Sequence, residues 1–183
     1  MSLELKLKEM LYHIKAKPNP FDDTPYWRKL NKLRSEAIDL MEKDRPILEE
    51  LWADIKYSSD YELGIMKARS IIEHPTKYYP FLGEQLSRAM RIKKLGKRLI
   101  EIAEEYFRTL KELREHQLEY YERVEAPWWD KFGRLKQDLP KPIQDLISFV
   151  YGISSESSYA VIVREICRTM LEVIKLVRGG DGS

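Results

Sequence analysis

The chain has 183 residues, of which 43% are hydrophobic and 34% are charged, and its 32 Lys and Arg residues nearly balance 30 Asp and Glu residues. This composition excludes an intrinsically disordered chain, which would carry fewer apolar residues and a larger net charge. A single cysteine excludes a disulfide scaffold, and no run of about 18 apolar residues is present to cross a membrane. We therefore expect a globular cytoplasmic protein, whose few amides among many Lys, Arg and Glu residues resemble a thermophile composition.

The first part of the chain predicts helices that prolines separate. Apolar residues recur at helical spacing over about 2–17, and Pro18 ends this helix because proline lacks the amide donor. A second helix over about 24–43 begins with a proline in its first turn, where proline is favoured. A third begins in the same way at Pro46.

The middle of the chain predicts a capped helix and then a much longer one. Ser59 and Glu62 have the spacing of a capping box, in which the serine oxygen accepts from the Glu62 amide, and this helix should end at His74. The segment over about 82–124 contains no proline. A helix of about 40 residues spans ~60 Å, more than the width of a compact domain of this size. We therefore expect the long helix either to break, near Gly96, or to protrude.

The last part of the chain predicts three more helices. Pro127 starts one that reaches about Leu139, and a second covers about 143–151. The last helix, over about 156–178, has an apolar face that extends past half of its circumference, so it should lie in the core or at an interface.

These elements predict an all-α fold. We expect a single domain over residues 1–178, with seven to eight helices in an irregular bundle around one long central helix that is kinked or protruding. No strand pattern and no hairpin turn competes with this interpretation. Residues 179–183 are expected to form a flexible C-terminal tail.

Positive charge is concentrated at the start of the long helix. Six basic residues and no acidic residue lie within one stretch of eleven: Arg88, Arg91, Lys93, Lys94, Lys97 and Arg98. On a helix they spread over both edges of the apolar stripe and can straddle a phosphate backbone. Tyr78, Tyr79 and Phe81 lie just upstream and can stack on bases if they are exposed. We predict that this stretch binds nucleic acid, single-stranded or duplex; an acidic protein surface or solvent alone are the alternatives.

Trp128 and Trp129 form a second candidate site. Neighbouring side chains on a helix diverge by 100°, so the two rings cannot both face the core. An exposed tryptophan is typical of the centre of a protein interface, whereas one that covers a neighbouring loop is structural. We predict a protein interface at this pair, with a partner protein or a second copy of the chain.

Patterns for catalysis and metal binding are sparse. Cys167 lies in an apolar helical stripe, which is typical of a small buried residue and not of a nucleophile. His13, His74 and His116 are far apart in sequence and too few for a metal centre. We therefore predict no metal, no cofactor and no catalytic residue.

One short pattern points to an alternative. The six residues from Arg69 to His74 carry an Arg-x4-His spacing, which resembles the signature of the all-α HEPN-type ribonucleases. The resemblance implies metal-independent RNA cleavage at a dimer interface, in which His74 moves the 2′-hydroxyl proton and Arg69 stabilises the charged phosphorane. Ser70 stands where that family commonly has Asn, Asp or His. Alternatively, His74 simply ends a helix, where the helix dipole favours a cation.

The predicted function is therefore binding and not catalysis. We expect a small subunit or accessory factor of an assembly that handles nucleic acid in replication, processing or defence. In size and helicity the chain is similar to small subunits of replication or CRISPR-type complexes. The alternatives are a protein–protein adaptor or helical homo-oligomer, and a HEPN-like ribonuclease. No membrane partner is expected.

Overall fold

The fold is all-helical, as the sequence predicts. The computed structural model describes residues 2–181, with the side chains of 156, 157, 180 and 181 left aside, and these residues form helices, turns and no strand. Over this range there is also no helix long and apolar enough to cross a membrane.

Residues 2–181 contain eight α-helices of twelve residues or more and one short helix. Their bounds are α1 Leu3–Lys15, α2 Thr24–Met41, α3 Arg45–Lys56, α4 Tyr61–Glu73, α5 Pro75–Tyr78, α6 Leu86–Tyr120, α7 Ala126–Gln137, α8 Lys141–Ile153 and α9 Glu156–Asp181. Two 3-10 turns, Glu42–Asp44 and Pro80–Glu84, precede α3 and α6. The cap of α4 is Asp60, whose Oδ1 accepts from the Glu62 amide at 2.9 Å, so the prediction that Ser59 caps this helix is wrong.

The long helix is confirmed, and the break near Gly96, one of the two alternatives left open by the sequence, is absent. α6 is regular over 35 residues, and Gly96 is buried within it. A Cβ added to Gly96 would lie 2.5 Å from Cγ2 of Ile72 on α4. The glycine therefore allows α4 and α6 to approach closely, and it does not interrupt the helix.

The irregularity lies further on, in a π-helical turn over Tyr121–Glu125. There the Ala126 amide donates to the Tyr121 carbonyl, five residues earlier. Pro127 follows, and its ring would clash with the carbonyl four residues before it while leaving that carbonyl without a donor. A widened π turn relieves both problems and joins α6 to α7.

Tertiary contacts divide the chain into two compact units. We call residues 1–20 with 118–183 the terminal unit, and 21–117 the central unit. The assignment of residues 1–178 to one domain stays a prediction. Helix α9 continues to Asp181, so the predicted tail is helical at 179–181, and Gly182 and Ser183 lie outside the described residues.

The core of the terminal unit forms where α1 packs on α7 and α9, and α8 packs on α9. Its buried members include Leu7, Met10, Trp128, Phe132, Ile147, Val163 and Cys167. Cys167 is completely buried, and this burial raises the pKa of its thiol to about 11. The interpretation of Cys167 as a small buried residue is therefore confirmed.

The core of the central unit is built by α2, α3, α4 and the first part of α6. Its buried members include Ala37, Leu48, Leu51, Ile55, Ile65, Ala68, Ile72, Leu99, Ile102 and Ala103. These residues fall on one face of each helix, which leaves the opposite face of α6 to its charged side chains.

Candidate binding sites

The six basic residues predicted to bind nucleic acid all lie on the first turns of α6, and they differ in what they contact. Arg88 is half-buried, and the other five are exposed. Three arginines reach carboxylates within the central unit, whereas the three lysines do not. The structure thus divides one stretch of charge into two groups.

Arg88 belongs to the fold. Its Nε and one terminal nitrogen donate to the two carboxylate oxygens of Asp44 at 2.9 and 2.8 Å, and its other terminal nitrogen donates to Gln85 at 3.2 Å. The Asp44 side chain is only 4% exposed. Hydrogen bonds from Arg88 hold the pKa of that carboxyl below its usual value. Each guanidinium nitrogen is therefore already engaged, and the pair fixes the 3-10 turn before α3 to α6.

Arg91 and Arg98 make weaker pairs. A terminal nitrogen of Arg91 lies 3.7 Å from Asp44, and Arg98 lies 3.6 Å from Glu36 and 3.4 Å from Glu101. Both arginine side chains are more than half exposed, so water and salt screen these pairs. Such contacts can exchange for a phosphate at little loss of stability.

The remaining three residues, Lys93, Lys94 and Lys97, form what we call the lysine face. All three are exposed, and none has an ion-pair partner among the described residues. At 100° per residue they lie within a 100° arc of α6. Leu86 and Met90, which are 65% and 73% exposed, belong to the same exposed side of the helix.

The upstream aromatic residues are only partly available for stacking. Tyr78 and Phe81 are exposed, but the Arg88 guanidinium lies 5.6 Å from the Phe81 ring centre. Tyr79 is half-buried, and burial raises the pKa of its hydroxyl to about 12.

The residues of the HEPN-like pattern lie at the end of α4. The Arg69 guanidinium forms an ion pair with Glu104 of α6. His74 is exposed and is the C-cap residue that follows the last residue of α4. Within residues 2–181 no hydrogen bond or ion pair joins Arg69 to His74. A catalytic role for the two stays a prediction.

In the terminal unit, Trp128 is an anchor between α7 and α1. Its Nε1 donates to the His13 carbonyl at 3.0 Å, and His13 Nε2 donates to the Trp128 carbonyl at 2.8 Å. The two rings stack with centres 4.6 Å apart. Trp128 is 7% exposed, so its side chain serves the core of the fold. An interface role for this tryptophan pair stays a prediction that now depends on Trp129.

Trp129 is half-buried and forms a corner with Trp128. The two rings meet edge to face with centres 4.8 Å apart, and Tyr159 stacks on Trp129 at 6.0 Å. The Lys17 ammonium lies 5.6 Å from the Trp128 ring centre and 5.4 Å from that of Trp129. Both distances are within the range of a cation–π interaction.

A cavity of about 510 Å³ opens at this corner. Its lining residues are Lys17, Pro18, Pro20, Glu125, Trp128, Trp129 and Ser155. A second cavity of about 580 Å³ shares Trp129 and is lined also by Tyr121, Tyr151, Gly152 and Ser154. The π turn Tyr121–Glu125 thus contributes one residue to each cavity.

Sequence patterns did not indicate this cavity. The adjacent Trp128 and Trp129 are predicted as a protein interface, but Lys17 is far from both in the chain and has no neighbour that marks it as a binding residue. The available signal was Pro127, because a proline inside a continuous helical pattern forces an irregular turn at the residues before it. That turn carries Glu125.

Among the described residues, no three His, Cys, Asp or Glu side chains are grouped so that they could hold a metal ion. Comparison with known proteins found no match to a family model, to a curated protein or to a solved structure.

Proposed function

We propose that this chain is a non-catalytic binding protein of the cytoplasm that contacts the phosphate backbone of nucleic acid through the lysine face. The observation that carries this proposal is that Lys93, Lys94 and Lys97 are exposed together on α6 without an ion-pair partner among the described residues. Lysines of this kind can exchange bound counterions for phosphates, and each such contact adds a salt-sensitive increment to the affinity.

The proposed contact surface is smaller than the basic stretch of the sequence. Arg88 is excluded from it, because its guanidinium holds the buried Asp44 carboxylate. Arg91 and Arg98 are assigned a secondary role, since their pairs with Asp44, Glu36 and Glu101 are long and exposed. Phosphate contacts of this type position a backbone and carry no base sequence information. We therefore propose binding without sequence preference, as part of a nucleic-acid-handling assembly.

The test is fluorescence anisotropy of labelled single-stranded and duplex oligonucleotides, of DNA and RNA, over a series of salt concentrations. The proposal predicts binding at low salt that weakens steeply as the salt concentration rises. No binding at low salt to any of the four probes would contradict it. The RNA samples also test the HEPN-type alternative, because RNA that stays intact in the presence of a chelator gives no support to catalysis by Arg69 and His74.

A protein partner is the second candidate, and the exposed Leu86 and Met90 favour it. These apolar side chains are 65% and 73% exposed beside the lysine face, and a nucleic acid backbone offers them no apolar contact. An acidic helix with its own apolar stripe would cover both kinds of residue. Affinity purification from the native host, with and without nuclease, separates the two. A protein that still co-purifies after nuclease treatment supports the adaptor function, whereas one that co-purifies only without nuclease supports binding to nucleic acid.

A further inference from the structure

The cavity of the terminal unit already holds a cation. The Lys17 ammonium lies over the corner between two indole rings, 5.6 Å and 5.4 Å from their centres. The electron-rich faces of Trp rings attract ammonium groups, by about 0.5–2 kcal/mol depending on how far the site excludes water. The chain itself therefore shows which chemistry this corner accepts.

The same cavity is also lined by an acidic group. Glu125 lines it and is half-buried, and among residues 2–181 its carboxylate has no ion-pair partner. Lys17 lies in the same lining but does not pair with it within salt-bridge distance. When the Lys17 ammonium moves out, a carboxylate beside two indole rings leaves a negative potential, which favours another cation and disfavours a phosphate or a carboxylate ligand.

Apart from Ser155, the remaining lining is apolar, and it determines the kind of cation. Pro18 and Pro20 cover one part of the wall, and Trp128 and Trp129 cover another. A metal ion requires several oxygen, nitrogen or sulfur ligands, and this wall offers it chiefly rings and methylene groups. An alkylated ammonium matches the wall, because its methyl groups contact the rings while its charge meets Glu125.

We propose that this cavity binds an organic ammonium group, and that Lys17 competes for the site. Trp129 supplies the ring face and Glu125 the opposite charge. The volume of about 510 Å³ exceeds what a single ammonium head needs, so a ligand can enter beside the Lys17 side chain. Two sources present this chemistry: a small quaternary ammonium compound, and the lysine side chain of a partner protein.

The experiment titrates the full-length protein with tetramethylammonium chloride and, separately, with the blocked dipeptide acetyl-Lys-Pro-amide. Indole N–H signals in proton–nitrogen NMR spectra report the binding, and sodium chloride at the same ionic strength is the control. The key variant is Lys17→Met, which keeps the length of the side chain and removes its charge. Lys17→Arg keeps the charge and is the matched control variant.

The proposal predicts saturable shifts of the Trp129 indole signal. The affinity obtained from them should be at least tenfold higher in Lys17→Met than in the wild type or Lys17→Arg. Adding Glu125→Gln to Lys17→Met should weaken binding about tenfold, while circular dichroism confirms that each variant is folded. Binding of tetramethylammonium assigns the site to small compounds, and binding of the dipeptide alone assigns it to a partner's lysine. No saturable shift with either probe in Lys17→Met, or equal affinity in Lys17→Met and the wild type, would overturn the proposal.

Discussion

The guanidinium of Arg88 holds the buried carboxylate of Asp44 by two parallel hydrogen bonds of 2.9 and 2.8 Å. Since the Asp44 side chain is 4% exposed, its charge has lost most of its hydration and depends on this partner. One of the six residues that look like a nucleic acid contact in the sequence is thus a structural residue.

Removing Arg88 should destabilise the protein strongly. Arg88→Met leaves the Asp44 carboxylate buried without its main partner, and we expect a loss of about 3 kcal/mol in the free energy of unfolding. Arg91→Met is the matched control, because Arg91 is exposed, lies 3.7 Å from the same carboxylate, and should change stability by less than about 1 kcal/mol. Urea unfolding followed by circular dichroism measures both. Equal losses in the two variants would contradict the assignment of Arg88 to the fold.

The same pair predicts how the stability depends on acidity. Arg88 holds the pKa of Asp44 below its ordinary value of 3.8. As the pH falls, the Asp44 carboxylate of the unfolded chain therefore binds a proton at a higher pH than that of the folded chain. The contribution of the pair to stability is fully present above the unfolded-state pKa, and it is lost as the pH falls through the folded-state pKa. The difference in unfolding free energy between wild type and Arg88→Met should be largest at neutral pH and should narrow below pH about 4. A difference that is constant with pH would argue against this account.

A second dependence on pH comes from His13 in the terminal unit. The ring is buried, which lowers its pKa below 6.5, and its Nε2 donates to the Trp128 carbonyl. As the pH falls, the unfolded chain protonates this histidine before the folded chain does. The neutral buried ring therefore contributes fully to stability above the unfolded-state pKa, and this contribution is lost as the pH drops through the folded-state pKa. We expect the unfolding free energy of the wild type to fall in this window. His13→Gln should flatten that fall, whereas the exposed His74→Gln should keep it.

Replacing each of two helical glycines by alanine should change the free energy of unfolding in opposite directions. A Cβ at Gly96 would lie 2.5 Å from Ile72 Cγ2, whereas one at Gly133 of α7 would meet nothing within 4 Å. Gly96→Ala should lower the free energy of unfolding by about 1–3 kcal/mol, because a β-branched neighbour in a packed core has little room to move. Gly133→Ala should raise it by about 0.5–1 kcal/mol through helix propensity. Thermal unfolding of both variants tests this, and a stabilised Gly96→Ala would contradict the packing.

The helices were predictable from the sequence, largely because of proline. Pro25, Pro46 and Pro127 each lie in the first turn of a helix. Amide groups in the first turn have no hydrogen-bond acceptor within the helix, so proline, which lacks this donor, costs nothing there. The role of Gly96 stayed open at the level of sequence, because a glycine inside a helix can mark either a break or a close contact with a neighbouring residue. That neighbour, Ile72, lies on another helix.

The binding sites were harder to predict, since they depend on partners distant in sequence. The stretch that contains Arg88 shows only positive charge, and the acid that engages it is 44 residues away. Likewise, nothing near Lys17 in the chain indicates that its ammonium meets Trp129. A helical pattern fixes which residues share a face, but not which face of another helix lies opposite.

The salt dependence of nucleic acid binding by a lysine variant is the most direct test of the proposed function. The variant replaces Lys93, Lys94 and Lys97 by Ala. Its control replaces Lys32, Lys67 and Lys175, three exposed lysines elsewhere without an ion-pair partner among the described residues, and so removes the same charge. We predict that the slope of log affinity against log salt becomes shallower by about 2–3 in the first variant and is unchanged in the control. An unchanged slope in the first variant, or an equal change in both, would contradict a nucleic acid site on the lysine face.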